Sequence, residues 1–361
     1  MKPSLILSIG LLSIMVLTGG SCKKDPPVGP PACDTCKTDT THHTGPNDTT
    51  SHTFTWSQYT LPNEGILTGA WVFGPKNVWV VGGAVWKWNG TKWFDVSPSD
   101  ASGSWSGALS GFSMFAFSED DYWLTHSGTI IHSVTGSSQT YSFGSSTVNG
   151  PLHASWGTSS SNDMYSVGDG GTILHFDGTQ WTKMQSGTTK DLHSIWGTSS
   201  HDIWASGTSS SKGTTILLHY DGTSWLEDPI SVSKGGNATG GFDYVWACDS
   251  SGHHFVTTCG ALLDRKTDNG AWRSDSGSLP NRLSDGSFIG IGVRGNTPND
   301  LIVAGSWGFI AHWNGRSWYQ YTSLYDYSNP SYGLGGMSIA ENTICLVGLK
   351  DGASWIAIGQ R

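Results

Sequence analysis

The segment LHASWGTSS at residues 152–160 returns as LHSIWGTSS at residues 192–200, an offset of 40 residues. Both copies continue into a second shared segment, ILHFDGTQW at residues 173–181 and LLHYDGTSW at residues 217–225. Apolar residues alternate within each copy, which is the period of a β-strand, and an Asp-Gly turn separates the last two apolar runs. Four short strands in a repeat of about 40 to 50 residues predict one four-stranded antiparallel sheet per repeat.

Weaker copies of the repeat cover most of the remaining chain. The innermost strands of these copies are expected to begin near residues 67, 112, 152, 192, 242, 289 and 335. We therefore predict an all-β fold, a seven-bladed β-propeller of four-stranded antiparallel blades, with six or eight blades as the alternatives. The Asp-Gly and Asn-Gly turns predict type I′ hairpins, in which both turn residues have positive φ.

The two ends of the chain are expected to share one blade. Trp181 precedes Leu192, at the start of the next innermost strand, by 11 residues, and Trp56 precedes Leu67 by the same interval. Residues 54–59 therefore predict an outer strand without a blade of its own, while the C-terminal repeat has only three strands. We expect the N-terminal strand to complete the last blade and close the ring, because this covers two exposed strand edges.

Composition excludes several classes of protein. The chain has 361 residues, with 19 Lys and Arg against 28 Asp and Glu, which gives a formal charge of −9. This acidic balance argues against a nucleic-acid partner, which needs a basic surface. The 49 glycines argue against a helical fold, because Gly costs about 1 kcal/mol relative to Ala at each helix position. The 19 Trp, 11 Tyr and 12 Phe exclude a wholly disordered chain.

The N-terminus has the pattern of an export signal. Lys2 precedes an apolar run from Leu5 to Leu17, which is shorter than the roughly 20 residues that a membrane-spanning helix needs. Small residues and then Cys22 follow this run. The pattern resembles a bacterial lipoprotein signal, in which Cys22 becomes the lipidated first residue; ordinary secretion is the alternative. The resemblance implies a cell-envelope protein anchored to the outer membrane by its lipid, either periplasmic or surface-exposed.

These features divide the chain into three parts. Residues 1–21 form a lipoprotein signal peptide, residues 22–53 a disordered tether and residues 54–361 the propeller domain. The tether is rich in Thr, Pro and His and has almost no apolar residues. Such a segment cannot bury enough surface to offset the entropy lost on ordering, so we expect it to lift the folded domain off a membrane.

The cysteines predict two disulfides and one buried thiol. They are Cys33 with Cys36, Cys248 with Cys259, and Cys345. The Cys-x-x-Cys spacing outside the cytoplasm favours a small disulfide loop, and a metal site that includes His42 and His43 is the alternative. A hairpin centred near His253 and His254 would place the second pair opposite each other.

Several residue types recur at equivalent positions of the repeat. Recurrent tryptophans are expected to pack between blades: they are Trp71, Trp93, Trp156, Trp181, Trp196 and Trp225. Asp163 and Asp202 are expected to stabilise turns. Four histidines share a third-strand position: they are His132, His175, His219 and His312. Equivalent positions on different blades radiate apart, whereas zinc holds its ligands at about 2 Å, so we predict no metal site among these histidines and no cofactor.

The Trp-Gly-Thr-Ser-Ser and Asp-Gly-Thr-x-Trp segments of the two central copies resemble those of a family of bacterial envelope propellers, most of which have no defined function. The resemblance implies the propeller fold. It implies no particular activity, because one fold carries many functions.

Catalytic patterns are not evident in the sequence. The four Glu lie in different repeats, which disfavours the paired carboxylates of a glycosidase, and no nucleophile or phosphate-loop motif occurs. Long loops on one face of the propeller remain, and their aromatic residues predict a ligand site: the residues are Trp105, Trp307, Tyr325, Tyr327 and Tyr332. We predict a non-enzymatic binding or scaffold module with a glycan or protein ligand; the alternative is a lectin-like or weakly carbohydrate-active propeller.

Overall fold

A computed structural model describes residues 49–62, 64–98, 113–158, 160–208, 215–228, 242–248, 253–258, 261–266, 272–274, 290–305, 308–324 and 333–361. These ranges form 28 β-strands and one short 3-10 turn at Asp169–Gly171. Within them, no helix combines the length and the apolar character that crossing a membrane requires.

The first strand, β1 (Thr55–Tyr59), precedes six blades that are each built from four consecutive strands. The first three blades are β2 (Gly69–Gly74), β3 (Asn77–Val81), β4 (Val85–Trp88) and β5 (Trp93–Asp95); β6 (Ser113–Ser118), β7 (Asp121–His126), β8 (Thr129–Val134) and β9 (Ser137–Ser142); and β10 (Leu152–Gly157), β11 (Met164–Gly168), β12 (Thr172–Phe176) and β13 (Trp181–Lys183). The next three are β14 (Asp191–Ser199), β15 (Asp202–Thr208), β16 (Thr215–Tyr220) and β17 (Trp225–Glu227); β18 (Phe242–Cys248), β19 (His253–Thr258), β20 (Ala261–Lys266) and β21 (Arg273–Ser274); and β22 (Gly290–Thr297), β23 (Asp300–Gly305), β24 (Ile310–Trp313) and β25 (Trp318–Gln320).

A composite sheet combines the two ends of the chain. It contains β26 (Gly333–Ala340), β27 (Thr343–Lys350) and β28 (Ala353–Gln360), with β1 at its outer edge. The antiparallel register pairs Thr55 with Gln360 and Tyr59 with Ile356. The four-stranded antiparallel architecture predicted from the repeat is thus confirmed, but the count of seven blades is corrected to six continuous blades and one composite sheet.

Side-chain packing joins the first blade to the composite sheet. The innermost strand β2 lies against β26 and β27, and one apolar cluster contains Leu67 and Val80 from the first-blade side together with Val347 and Ile358 from the composite sheet. β1 hydrogen-bonds only to β28. The expected closure of the ring by the N-terminal strand is corrected accordingly: the innermost strands contribute apolar side chains to the seam, and Tyr59 of β1 adds ring contacts with Trp88 and Trp93 but no strand pairing.

The turns between third and fourth strands are wider than the sequence analysis expects. Gly178 has φ +92°, whereas Asp177 is absent from the residues with positive φ, so the type I′ prediction is wrong here. Phe176 pairs with Trp181, which leaves a four-residue loop. Asp177 Oδ1 accepts hydrogen bonds from the backbone N–H groups of Thr179 and Gln180, both at 2.9 Å. The aspartate therefore folds the turn through its side chain, as Asp does in Asx turns.

The repeat tryptophans lie in the core, as predicted. Four of the six are buried and the other two are half-buried against the same apolar clusters. One position in the middle of the innermost strand is aromatic in five blades: its residues are Trp71, Phe115, Trp156, Trp196 and Trp246. Arg294 has this position in the sixth blade, where its guanidinium lies 4.8 Å from the centre of the Trp196 ring and Nη1 donates to the carbonyl of Val245. Burial lowers the pKa of Arg294 to about 10.

The four third-strand histidines each bind an aspartate of their own sheet. In every case His Nε2 contacts Oδ1 of an aspartate that begins the second strand or, for Asp163, directly precedes it: the pairs are His132–Asp121 at 2.8 Å, His175–Asp163 at 2.8 Å, His219–Asp202 at 2.9 Å and His312–Asp300 at 2.7 Å. In the second and fourth blades the histidine ring also stacks on a tryptophan of the second strand, with ring centres 3.8 and 4.2 Å apart. These histidines connect neighbouring strands within a blade.

Asp300 is the most highly connected of these aspartates and binds the N-terminal segment. Its carboxylate accepts hydrogen bonds from His312, from Asn296 Nδ2 at 2.7 Å and from Arg361 Nη2 at 2.6 Å. Thr50 Oγ1, which the sequence analysis places in the tether, donates to Asp300 Oδ1 at 3.2 Å. Burial opposes ionisation of Asp300, but the hydrogen bonds from His312 and Arg361 outweigh it and lower the pKa to about 2.

Asp300→Asn is expected to destabilise the protein by about 3 kcal/mol at pH 7, because the substitution leaves the largely buried Arg361 without its carboxylate. A pKa lowered from 3.8 to about 2 stabilises the fold above pH 3.8, and this contribution is lost as the pH falls towards 2. The difference in Tm between wild type and variant should therefore shrink from pH 5 to pH 2. Asp120→Asn, at an exposed turn, is the control, and a pH-independent difference for Asp300→Asn would contradict this role.

Candidate functional site

The two faces of the propeller are built differently. One face, here called the turn face, carries the turns between first and second strands and between third and fourth strands. The opposite face, here called the bulge face, is where the innermost strands begin. Five innermost strands have a β-bulge at this end: the residues at the bulge are His153, His193, Asp243, Ile291 and Gly335. Four innermost strands have a bulge at the turn-face end, so bulges occur on both faces. Bulges re-aim side chains and are frequent beside functional sites, and the bulge positions that carry His153 and His193 are the candidate site.

His153 and His193 lie next to each other at the bulge-face ends of their strands. They occupy the same repeat position on the adjacent strands β10 and β14, and their ring centres lie 5.1 Å apart with an angle of 48° between the ring planes. His153 is fully buried, and its Nε2 lies 2.6 Å from Oδ1 of Asp169, in the turn between β11 and β12. Its Nδ1 is buried without a hydrogen-bond partner.

The side chain of His193 is half-buried, and its ring is neutral at pH 7 because its pKa is low. Burial lowers its pKa to about 4, and the neighbouring His153 lowers it further, while Asp191 and Asp169 act in the opposite direction. At neutral pH His193 therefore presents an uncharged imidazole near the carboxylates of Asp191 and Asp169. Such groups suit a hydrogen-bond donor or a cation as ligand.

The turn at Asp169–Gly171 fixes this arrangement because it contacts the segments that precede and follow its own blade. Gly170 N–H donates to Asp191 Oδ1 at 2.9 Å, and Asn149 Nδ2 donates to the carbonyl of Gly170 at 2.7 Å. Gly171 has φ +72°, and a Cβ there would lie 2.1 Å from the carbonyl oxygen of Thr188. The turn that holds Asp169 against His153 thus requires glycine at this point.

The aromatic residues predicted as a ligand site, Trp105, Trp307, Tyr325, Tyr327 and Tyr332, lie outside the described residues, as do Cys22, Cys33, Cys36 and Cys259. Their roles stay predictions. The described chain next to them ends at Leu324 and resumes at Gly333, where β26 begins. Among the described side chains, no three His, Cys, Asp or Glu residues are grouped so as to hold a metal ion.

The described residues bear on two of the cysteine predictions. Cys345 is a buried free thiol, as predicted, and burial raises its pKa above the usual range. The expected hairpin centred near His253 and His254 is wrong, because Cys248 pairs directly with His253 and the turn precedes His253. The argument from this hairpin for a disulfide between Cys248 and Cys259 therefore does not hold, and the disulfide stays a prediction.

Sequence reasoning missed the pair of His153 and His193, although both stand in the repeated Leu-His dipeptide. The signal was available in the repeat itself. Both histidines stand at the second position of an innermost strand, and the innermost strands β10 and β14 of the two neighbouring blades lie side by side.

Comparison with solved structures agrees with this architecture. At 14% sequence identity and a TM-score of 0.60, the chain is similar to the protein described as YCF48 bound to D1 peptide, over 88% of this chain and 98% of that one. The chain is a β-propeller. YCF48 from Cyanidioschyzon merolae shares 16% identity with a TM-score of 0.58, over 83% and 98% of the two chains. The WD40 β-propeller domain of Doa1 shares 12% identity with a TM-score of 0.58, over 84% and 96%.

These similarities establish the fold alone, because identities this low do not carry function. No protein-family model matches the chain, and no curated protein matches it.

Gly171→Ala is expected to destabilise the protein by about 2 kcal/mol more than Gly187→Ala. Both glycines have φ +72°, so both variants bear the same left-handed backbone cost, but nothing lies within 4 Å of a Cβ at Gly187. Thermal unfolding of the two variants measures the difference. Equal losses of Tm would show that the turn moves away from Thr188 without cost and does not brace Asp169.

Proposed function

We propose that the protein is a non-enzymatic, protein-binding propeller that is anchored to a bacterial membrane through Cys22 and recognises an extended segment of its partner on the bulge face. The observation that carries this proposal is the difference between the two faces. Short turns and side-chain hydrogen bonds account for the structure of the turn face. The histidine pair and, by their position in the sequence, the long connections distinguish the bulge face.

The N-terminal segment also covers part of the turn face. Tyr321 Oη donates to the carbonyl of His52 at 2.8 Å, and the ring of His52 stacks on Tyr319 with centres 5.5 Å apart. Thr50 N–H donates to the carbonyl of Asn314, in the turn between β24 and β25. The turn face of the sixth blade is thus occupied by the chain itself, which favours the bulge face as the side that binds a partner.

A protein segment is the favoured ligand because one structural neighbour is described as bound to a peptide. Loops rich in aromatic side chains supply large contact areas at low entropic cost, which suits an extended peptide as well as a glycan. The predicted aromatic residues Trp307 and Tyr325 belong to such loops by their position in the sequence. A glycan is the alternative ligand.

Trp307→Ala combined with Tyr325→Ala is expected to reduce ligand affinity at least tenfold, because aromatic anchors supply a large part of interface energy. The ligand is sought by screening the full-length protein against a peptide display library and a glycan array. Leu226→Ala, at an exposed position of an outer strand, is the matched control and should bind as wild type. Glycan binding without peptide binding would replace the protein ligand, and a large fall in Tm would show that these rings form loop cores.

Cys22→Ser is expected to release the protein from membranes, because a thioether-linked lipid can no longer form at this residue. Metabolic labelling with a fatty acid, followed by membrane fractionation, measures the change. Cys33→Ser is the control and should remain acylated and membrane-bound. Acylation that persists in Cys22→Ser would exclude the proposed anchor without affecting the proposed binding face.

A further inference from the structure

Residues 49–53, here called the docked segment, lie against the sixth blade without belonging to any strand. Asn314 Nδ2 donates to the carbonyl of Thr50 at 3.0 Å, and Thr50 N–H donates back to the carbonyl of Asn314 at 3.3 Å. Phe54, which follows the segment, is buried in the apolar cluster of the composite sheet, and β1 pairs with β28 beyond it. The docked segment is therefore attached to the domain by polar contacts, whereas the chain from Phe54 onward is part of the core.

His52 makes the side-chain contacts of the docked segment that face the sixth blade most directly. Its Nδ1 lies 2.9 Å from Nδ1 of His312 on β24, and its Nε2 lies 3.1 Å from Oγ of Ser317 in the next turn. The ring also stacks on Tyr319 of β25 and meets the His312 ring edge-on, with ring centres 4.9 Å apart. Both ring nitrogens of His52 are thus engaged when the segment is docked.

The hydrogen bond between the two Nδ1 atoms accommodates a single proton, because one nitrogen must donate and the other accept. His312 Nε2 lies 2.7 Å from Oδ1 of Asp300, whose pKa of about 2 keeps it an acceptor, so His312 Nε2 carries a proton. Two charged imidazoles would place an N–H on both Nδ1 atoms and remove the bond. The docked geometry therefore tolerates at most one positive charge on His52 and His312 together.

The charged groups around His52 act in the same direction on balance. Burial lowers the pKa of His52 from 6.5, His312 and the guanidinium of Arg361 lower it further, and the carboxylate of Asp300 opposes them. An unrestrained imidazole has a pKa of about 6.5. A proton therefore binds the released His52 more tightly than the docked one. By linkage, docking is strongest above pH 6.5 and weakens as the pH falls below this value.

From this geometry we infer that the docked segment is a pH-sensitive clasp: a second proton on the pair of His52 and His312 removes the bond between their Nδ1 atoms and releases residues 49–53 from the sixth blade. Release frees the turn-face groups of Asn314 and Ser317, and the segment then pivots at Phe54, which stays in the core. This inference goes beyond the proposed partner on the bulge face and does not depend on it.

Hydrogen exchange of the full-length protein at pH 7.5 and pH 5.5 tests the clasp, after correction for the pH dependence of intrinsic exchange. Protection of the Thr50 N–H, which is bonded to Asn314, is expected to fall by about threefold to tenfold at the lower pH. Protection of the core strand β27 should stay unchanged, which separates local release from unfolding of the domain. The NMR signal of the His52 ring, assigned by its absence from His52→Gln, should titrate below pH 6.5.

His52→Gln keeps a hydrogen-bonding side chain that does not titrate, so the pH dependence of Thr50 protection should disappear in this variant. His201→Gln, at an exposed turn-face histidine, is the matched control and should behave as wild type. Constant Thr50 protection in wild type, or a His52 pKa at or above 6.5, overturns the inference. An unchanged pH dependence in His52→Gln overturns it as well, because another group would then control the segment.

Discussion

The close approach of the innermost strands is the constraint on which the rest of the propeller depends. A Cβ at Gly335 would lie 1.7 Å from the carbonyl oxygen of Leu67, which is closer than any side chain permits. Ser338 Oγ accepts a hydrogen bond from Val72 N–H at 3.0 Å, and Ser194 Oγ accepts one from Val245 N–H at 3.3 Å. Backbones this close leave room only for small side chains at these points, and the large aromatic residues fill the positions between them.

The close approach of the innermost strands also determines which histidines meet across two blades. Third-strand histidines such as His175 and His219 lie away from the axis and find their partners within their own sheets, at 2.8 and 2.9 Å. His153 and His193 lie at the axis, so the nearest equivalent side chain belongs to the neighbouring blade.

The strand pattern could be predicted from the sequence because period-two alternation and turn residues act locally. The repeat at residues 152 and 192 therefore predicted correctly four strands per sheet and the burial of the repeat tryptophans. The composition of the last sheet and the conformation at Asp177 depend on long-range contacts and on a side-chain hydrogen bond, and the sequence analysis described both incompletely. The histidine pair was overlooked for the same reason, since proximity between two blades is a property of the assembled ring.

The attachment of Thr50 and His52 to the sixth blade sets the direction in which the chain enters the propeller. These residues are bound beside Asn314 and Ser317, so the segment that precedes residue 49 joins the domain on the turn face. The chain itself therefore occupies the turn-face groups of the sixth blade, and a ligand that binds at this position has to displace Thr50 and His52 from Asn314 and Ser317.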